Sequence, residues 1–447
     1  MTAESQAVDD FSAPHRRIWA IAGPAILANS SAPLVGLVDT WAVGHLPGAV
    51  HLAAVGLGSI IFTYILWAFG FLRMGTTGMV AQARGSGDND VLIATVWRSA
   101  ALALLLGGIM LVFQEAILAL SLQALAPPEN VASVASEYFR IRIWAAPATL
   151  LFYAITGILF GLALTRVILW LQLLLNITNA ILNLIFVIGL DMGVPGVALG
   201  TLIAQLLATA AGVVVVWRTL GGAALMAGLV HKITWHLGEF RRLVAVNGFI
   251  FVRTIFLMTA LALIVKKSGA LGEAEMAASH VVNQYMLLMA LGLDGFAHAA
   301  EALVGAAYGD GRKAVFRRWV TLTTFWAIIA SAAYALFFWL AGNGITALLT
   351  DIETIRVMVA GVMPLVVALP VIAVWSYQFD GVYIGATAGA AMMGTMGIAF
   401  AVYLLILDPM TNEWGLAGLW GAVLIFMGVR GLAQALWMPR IEAGLKE

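Results

Sequence analysis

The 447-residue chain has no cysteine and few charged residues. The absence of cysteine excludes disulfides, cysteine zinc sites, iron–sulfur clusters and thiolate nucleophiles. Only 10% of the residues are charged and the formal net charge is zero, so no basic field exists to hold nucleic acid. The chain also lacks a Gly-x4-Gly-Lys-Ser/Thr phosphate loop and a His-Glu-x-x-His zinc pair. The sequence therefore indicates neither ATP hydrolysis nor zinc proteolysis, and no cofactor or metal.

Hydrophobic residues make up 62% of the chain, and its mean hydropathy is +0.98. Soluble domains are about half apolar and about a quarter charged, so this composition predicts an all-α membrane protein. A helix needs about 20 apolar residues to cross a hydrocarbon layer of roughly 30 Å. Such runs predict about twelve transmembrane helices, near residues 17–44, 51–82, 93–122, 136–163, 167–190, 195–217, 242–265, 275–307, 318–341, 355–381, 386–407 and 415–438.

Basic residues are distributed unequally between the loops on the two sides of the predicted membrane. If both termini are cytoplasmic, the inner loops contain most of the arginines, beginning with Arg16 and Arg17, and the outer loops contain mainly Lys266 and Lys267. Short loops rich in Lys and Arg stay in the cytoplasm. The sequence therefore predicts a multi-pass protein with both termini cytoplasmic.

An internal repeat relates the two halves of the chain. A shift of 224 residues aligns Val80 with Val304, Gly85 with Gly309, Gly157 with Gly381, and Gly161 with Gly385. Six spans in each half imply parallel repeats about an axis along the membrane normal. Chance alignment of glycine-rich helices is the alternative. The repeat predicts an N-terminal lobe at 1–220, a cytoplasmic linker at 221–241 and a C-terminal lobe at 242–447.

Asp39 is the first candidate for a functional site, because it lies within a predicted span between apolar neighbours. A charged group at the bilayer centre costs about 2.5–3.5 kcal/mol on insertion scales. A carboxylate in such surroundings is expected to bind and release protons near physiological pH. The repeat places Leu263 opposite it, so only one half has this carboxylate, and no cation is adjacent in sequence. The alternatives are an ion pair with Arg73 or a helix-end carboxylate near the outer surface.

Three asparagines form a polar stripe on the fifth span. Asn176, Asn179 and Asn183 are spaced by three and four residues, which places their side chains on one helix face. They could line a substrate cavity and hydrogen-bond Asp39, or they could join neighbouring helices.

A second stripe on the eighth span contains titratable groups. Asp294, His298 and Glu301 follow at spacings of four and three residues. Such a face could relay protons, bind a cation or receive a cationic substrate. A satisfied structural network is the alternative.

Further charged or polar residues lie inside other predicted spans. Asp380, with Gln378, is interpreted as a packing element at the cytoplasmic end of the tenth span. Arg73, Arg253 and Arg430 are candidate counter-ions for any of the buried carboxylates, and the sequence does not pair them. With no nucleotide motif present, the energy for any transport is expected to come from an ion gradient.

Four segments in order along nearly the whole chain resemble the DNA-damage-inducible branch of the multidrug and toxic compound extrusion family. They are GPAILANSSAPLVGLVDTWAVGHL at 23–46, FLRMGTTGMVAQARG at 71–85, LGLDGFAHAAEALVGAAYG at 291–309 and FDGVYIGATAG at 379–389. The resemblance implies two six-helix lobes forming a V around a central cavity. It also implies export of cationic or amphipathic toxins against protons, or against sodium in other branches. We predict a monomer in the bacterial inner membrane.

The resemblance also implies roles for particular residues. In the family the first-helix aspartate is the protonation site and a nearby proline bends that helix, which here are Asp39 and Pro24. Many relatives carry an aspartate where this chain has Asn183, so a two-carboxylate proton network is not expected. The acidic residues of sodium-coupled members on helices seven and ten are not found, which favours proton coupling.

Two other functions stay open from the sequence. A flippase for lipids or lipid-linked oligosaccharides shares the duplicated architecture, and would show narrow substrate specificity without drug efflux. An intramembrane enzyme needs paired catalytic groups, for which Asp294 and Glu301 are the nearest arrangement. The prediction is a transporter and not an enzyme.

Overall fold

The computed structural model describes residues 13–31, 33–44 and 49–446. Across these residues the chain forms sixteen α-helices, numbered α1 to α16, one 3-10 turn and one π-helical turn, and no β-strand. The helices are α1 Pro14–Ser31, α2 Pro33–Gly44, α3 Ala49–Ala68, α4 Phe71–Ser86, α5 Asn89–Val112, α6 Gln114–Leu125, α7 Glu129–Arg142, α8 Ala146–Gly161, α9 Thr165–Asn183, α10 Gly193–Leu220, α11 Gly222–Val230, α12 Leu237–Leu271, α13 Glu273–Asp310, α14 Lys313–Leu349, α15 Glu353–Gly385 and α16 Gly389–Glu442.

Ten helical segments within the described residues are long and apolar enough to cross a membrane. They account for eleven of the twelve predicted spans, because α16 contains two of them. Gly415 interrupts that helix with φ +54° and ψ −129°, a conformation that a residue without a Cβ adopts most readily. The predicted first span corresponds to the shorter helices α1 and α2.

The helices pack into two compact units. The first unit contains the chain up to Ile26, residues Ala81–Gly87 and the chain from Ala245 onward. The second unit contains Leu27–Val80 and Asp88–Val244. The inclusion of Ala81–Gly87 in the first unit is a feature that the repeat alone does not predict, and the predicted lobe boundaries stay a prediction.

The same close helix contact occurs in both units, at positions related by the predicted repeat. Glycines on one helix lie against backbone carbonyls of another, so close that an added Cβ would come within 3.0 Å of the carbonyl oxygen. The contacts join Gly157 to Arg73 and Gly161 to Thr77 in the second unit, and Gly381 to Ala297 and Gly385 to Glu301 in the first unit. Small residues permit this approach between membrane helices. Both partners of each contact shift by 224 residues, so the internal repeat is confirmed.

The predicted linker packs on α5 within the second unit. The indole Nε1 of Trp97 donates to the carbonyl of Leu225 at 2.9 Å. The buried guanidinium of Arg98 donates to the carbonyls of Thr234, at 2.8 Å, and Ile233. The segment between α11 and α12 is therefore fixed by charge-assisted hydrogen bonds.

Candidate functional site

Asp39 is a buried carboxylate in α2, with 3% of its surface exposed. The Nδ2 of Asn183 on α9 donates to its Oδ1 at 2.6 Å, and Asn179 is a second amide partner. The Oδ1 of Asn183 is buried with no hydrogen-bond partner among the described residues. The carboxylate is thus held by neutral amides in a site closed to bulk water.

The other asparagines of the stripe join α9 to neighbouring segments of the second unit. Asn176 donates from Nδ2 to the carbonyl of Ser31 at 2.7 Å and accepts from Gln172 at 3.0 Å. Asn179 donates to the hydroxyl of Thr201 on α10 at 3.0 Å. All three asparagines are buried, so the face predicted to be polar is directed into the unit.

A cation that the sequence did not single out lies in the same unit as Asp39. Arg142, the last residue of α7, attracts Asp39 electrostatically. Its Nη1 donates to the hydroxyl of Tyr138 at 2.5 Å, and its guanidinium lies 4.7 Å from the ring centroid of Phe62. The alternative prediction was an ion pair between Asp39 and Arg73. The guanidinium of Arg73 lies over the ring of Phe160, 5.3 Å from its centroid. Arg142 was overlooked because a charge at a helix end resembles an ordinary interfacial residue.

Asp380 is the centre of a buried ion cluster in the first unit. Its Oδ2 accepts from Arg253 of α12 and Arg430 of α16, and its Oδ1 accepts from Gln434 at 2.7 Å. Asp294 also interacts electrostatically with Arg253. The interpretation of Asp380 as a simple helix-end packing element is therefore incomplete. It joins three helices through charge, and two arginines share one carboxylate.

The remaining predicted residues of the first unit make separate contacts. The Nδ1 of His298 lies 3.1 Å from Oε1 of Glu301, and both residues are buried. Gln378 donates from Nε2 to the hydroxyl of Thr323 at 2.7 Å. Asp294, the third member of the predicted stripe, is half-buried. The spacing therefore correctly predicts the contact between His298 and Glu301.

Pro24 lies inside α1, and other residues of this helix line an apolar cavity of the first unit. The cavity has a volume of about 300 Å³, and Trp19 and Ile26 of α1 line it together with Phe296 and Trp326. Proline has no N–H, so it removes one hydrogen bond of the helical ladder at this point. Helix α1 thus lacks one backbone hydrogen bond at Pro24.

A model of the family described as MatE matches residues 24–185 and 249–410. The chain belongs to the MatE family. Its members are multidrug and toxic compound extrusion (MATE) transporters, and this protein is accordingly a multi-pass membrane protein of a multidrug-efflux transporter family. The two matches begin 225 residues apart, within one residue of the predicted repeat.

Curated relatives extend over nearly the whole MATE chain. DNA damage-inducible protein F of Escherichia coli is 35% identical over 428 residues, which cover 94% of this chain and 92% of the relative. The chloroplastic protein DETOXIFICATION 44 of Arabidopsis thaliana is 26% identical, covering 94% of this chain and 81% of the relative. The resemblance to the DNA-damage-inducible branch is therefore confirmed.

Solved MATE structures match the same length of chain. A crystal structure of MATE in the bent conformation has a TM-score of 0.86 at 20% identity and covers 99% of this chain and 98% of its own. An outward-facing MATE family transporter of the MOP superfamily has a TM-score of 0.85, with complete coverage of both chains. These similarities establish the MATE fold for this chain.

Gly200 on α10 offers a test of the contact between Asn183 and Asp39. A Cβ at Gly200 would lie 2.5 Å from Oδ1 of Asn183. We expect Gly200→Ala to displace the amide from Asp39 and to reduce substrate transport by about tenfold, corresponding to loss of one charge-assisted hydrogen bond worth roughly 1.5 kcal/mol. Transport of a fluorescent substrate into vesicles measures the effect.

Gly108→Ala is the matched control, since no atom lies within 4 Å of the added Cβ and Gly108 is inside α5 of the same unit. It is expected to transport at the wild-type rate. Equal transport rates for Gly200→Ala and Gly108→Ala would show that the contact between Asn183 and Asp39 does not contribute to transport.

Proposed function

We propose that this MATE protein exports cationic or amphipathic small molecules in exchange for protons, with Asp39 as the protonation site. The observation that supports the proposal is the buried carboxylate of Asp39, held by the amide of Asn183 on a neighbouring helix. Ionisable groups inside membrane proteins are typical of proton pathways. Because this carboxylate is paired with an amide, a single group is expected to bind the proton.

Asn183 suits both protonation states of Asp39. Its Nδ2 donates to the ionised carboxylate, and its partnerless Oδ1 could accept a hydrogen bond from the neutral acid after rotation of the amide. The proton can therefore bind and leave without breaking apart the buried site. An unpaired buried donor, in contrast, would cost roughly 1–3 kcal/mol.

The proposed cycle is alternating access. An outward-facing cavity holds the substrate until Asp39 is protonated from outside; α1 then bends at Pro24, the cavity shrinks and the substrate leaves. The proton is released to the inside on the return step. Substrate and proton must oppose each other's binding, typically by about 1–3 kcal/mol. The missing N–H of Pro24 and the cavity beside Trp19 and Ile26 provide a point and a space for the bend.

We place the transporter in the bacterial inner membrane as a monomer, with both termini cytoplasmic. The concentration of arginines in the loops on the side of the termini supports this orientation. A proton moving inward through 100 mV supplies about 2.3 kcal/mol, which the exchange would use to export the substrate.

The test is substrate-driven proton release from inverted, acid-loaded vesicles that contain the wild-type protein, without sodium. Addition of the lipophilic cation ethidium is expected to alkalinise the vesicle interior, and protein-free vesicles are the control. A response that appears only when sodium is supplied would replace the proton with sodium as coupling ion. Silence with both ions would contradict drug antiport and favour a lipid flippase.

A further inference from the structure

The chain between α10 and α12 carries an excess of positive charge. Both helices are long and apolar enough to cross a membrane, so the segment that connects them lies at a membrane surface. It is called here the linker region, residues 218–242. Its basic residues are Arg218, Lys232, Arg241 and Arg242, and its one acidic residue is Glu239. The formal charge of these five side chains is therefore strongly positive.

The first turns of α12 extend beyond the hydrocarbon layer. The helix has 35 residues, which corresponds to a length of about 52 Å, whereas the hydrocarbon layer is roughly 30 Å thick. Arg241 and Arg242 lie in the second turn of α12, and the apolar run of this helix begins directly after them. Their side chains are therefore at the level of the lipid headgroups.

The carboxylate of the linker region is directed at a buried arginine. Oε2 of Glu239 lies 4.0 Å from Nη1 of Arg98, a residue with 2% of its surface exposed. Lys232, Arg241 and Arg242 are exposed, and none of them forms an ion pair with another residue that the structure describes. Their charge is thus available to an anion outside the protein.

Arg98 also fixes the turn that precedes α12. Its guanidinium donates to the carbonyl of Thr234 at 2.8 Å and to the carbonyl of Ile233. Because the same guanidinium faces Glu239, it holds the turn that contains Lys232 beside the first turns of α12. The basic side chains are therefore presented from one ordered surface.

Large apolar side chains are exposed in the same region. Val230 is 82% exposed and Leu237 is 65% exposed. The ring of Trp235 is also exposed, while its Nε1 donates to the carbonyl of Leu229 at 2.8 Å. Exposed Trp and Leu beside Lys and Arg are typical of segments that lie in the membrane interface, with apolar groups at the acyl boundary and basic groups at the headgroups.

We propose that the linker region is a binding site for anionic phospholipids. Lys232, Arg241 and Arg242 contact the phosphate of the headgroup, and Trp235 packs against the acyl chains. Clusters of Lys and Arg directly outside a spanning helix bind acidic lipid headgroups. A zwitterionic lipid has no net charge for the basic residues to neutralise, and a soluble phosphate has no acyl chain to cover the indole.

The test is displacement of fluorescent phosphatidylglycerol from the purified full-length protein in a neutral detergent. Replacing Lys232, Arg241 and Arg242 together by Gln should weaken binding by about 100-fold, since each basic side chain near the headgroups contributes about fivefold. Unlabelled phosphatidylglycerol should displace the probe from the wild type, and phosphatidylcholine should not. Equal displacement by both lipids, or wild-type affinity in the triple variant, would overturn the proposal.

Lys266→Gln is the matched control at the other end of α12. Lys266 is exposed, forms no ion pair within the described part of the chain, and lies outside the linker region. Its affinity for phosphatidylglycerol should equal that of the wild type, whereas Lys232→Gln should bind about fivefold more weakly. The same loss of affinity in both variants would indicate a general attraction to positive charge and contradict a defined site.

Two further probes distinguish a lipid from a soluble anion. Inorganic phosphate should leave the fluorescent lipid bound, and Trp235→Ser should weaken phosphatidylglycerol binding several-fold. Displacement by inorganic phosphate as effective as that by unlabelled phosphatidylglycerol would overturn the assignment to lipid. The substituted side chains are exposed, so each variant is expected to unfold thermally with the wild type.

This inference does not depend on the coupling ion or on the exported substrate. Lipid binding is measured without substrate and without an ion gradient. Failure of ethidium-driven proton release would leave the lipid site standing, and loss of the lipid site would leave the proposed exchange standing.

Discussion

Replacing Asp39 by Asn is expected to abolish ethidium-driven proton release, to the level of protein-free vesicles. The amide keeps the shape of the carboxylate and can still accept from Nδ2 of Asn183, a contact of 2.6 Å in the wild type. It cannot bind a proton in the physiological range. The variant should therefore fold, and because it mimics the neutral acid it should bind substrate more weakly, by about 1–3 kcal/mol, while proton release is lost. Proton release and equilibrium ethidium binding measure the two effects separately.

Asp351→Asn is the matched control for this substitution. Asp351 is a fully exposed carboxylate that pairs with Arg356 at 2.9 Å, and it has no place in the proposed cycle. It should exchange at the wild-type rate. Wild-type exchange by Asp39→Asn, with an unchanged pH profile, would eliminate Asp39 as the proton site.

Truncating Asp380 to Ala is expected to destabilise the protein by about 3–5 kcal/mol. Removal of one partner leaves a buried charge without compensation, which is the costly way to break a buried ion cluster. Here two guanidiniums, of Arg253 and Arg430, lose their shared acceptor together. Thermal unfolding in detergent measures the change in stability. Gel filtration first isolates the folded fraction on which it is measured.

Two comparisons make this prediction specific to the buried cluster. Asp408→Ala removes a carboxylate that is 59% exposed and pairs with Lys267, and it should cost no more than about 1 kcal/mol. Replacing Arg253, Asp380 and Arg430 together by Met, Leu and Met should recover most of the lost stability, since apolar substitutes for a complete buried cluster are often neutral. A small loss of stability in Asp380→Ala alone would show that another anion neutralises Arg253 and Arg430.

The fold was largely predictable because its determinants are local. Apolar runs of membrane length marked the spans, and the glycine spacing between Gly157 and Gly161 recurs at Gly381 and Gly385, where helices meet backbone to backbone. The helical spacing also placed the three asparagines on one inward face. These features depend on hydropathy and on helical periodicity, both of which can be read directly from the sequence.

The partners of the buried charges were not predictable from the sequence. The cost of a charge in the membrane shows that Asp39 and Asp380 need partners, and it does not select them. Arg253 is 127 residues from Asp380, and Arg430 is 50 residues from it. Such choices depend on tertiary packing. The hydrogen bond between Asn183 and Asp39 was a sequence hypothesis, because the polar stripe of three asparagines limited the number of candidate partners for Asp39.

The ion cluster around Asp380 also determines an order of assembly during synthesis. Arg253, Asp380 and Arg430 lie in α12, α15 and α16, so they emerge from the ribosome in that sequence. Arg430 follows Asp380 by 50 residues, so it is synthesised roughly 3–10 s later at ordinary elongation rates. During that interval Asp380 has Arg253, which precedes it in the chain, as a partner, and it still lacks the donors Arg430 and Gln434. Insertion of α16 is consequently the step that completes the cluster.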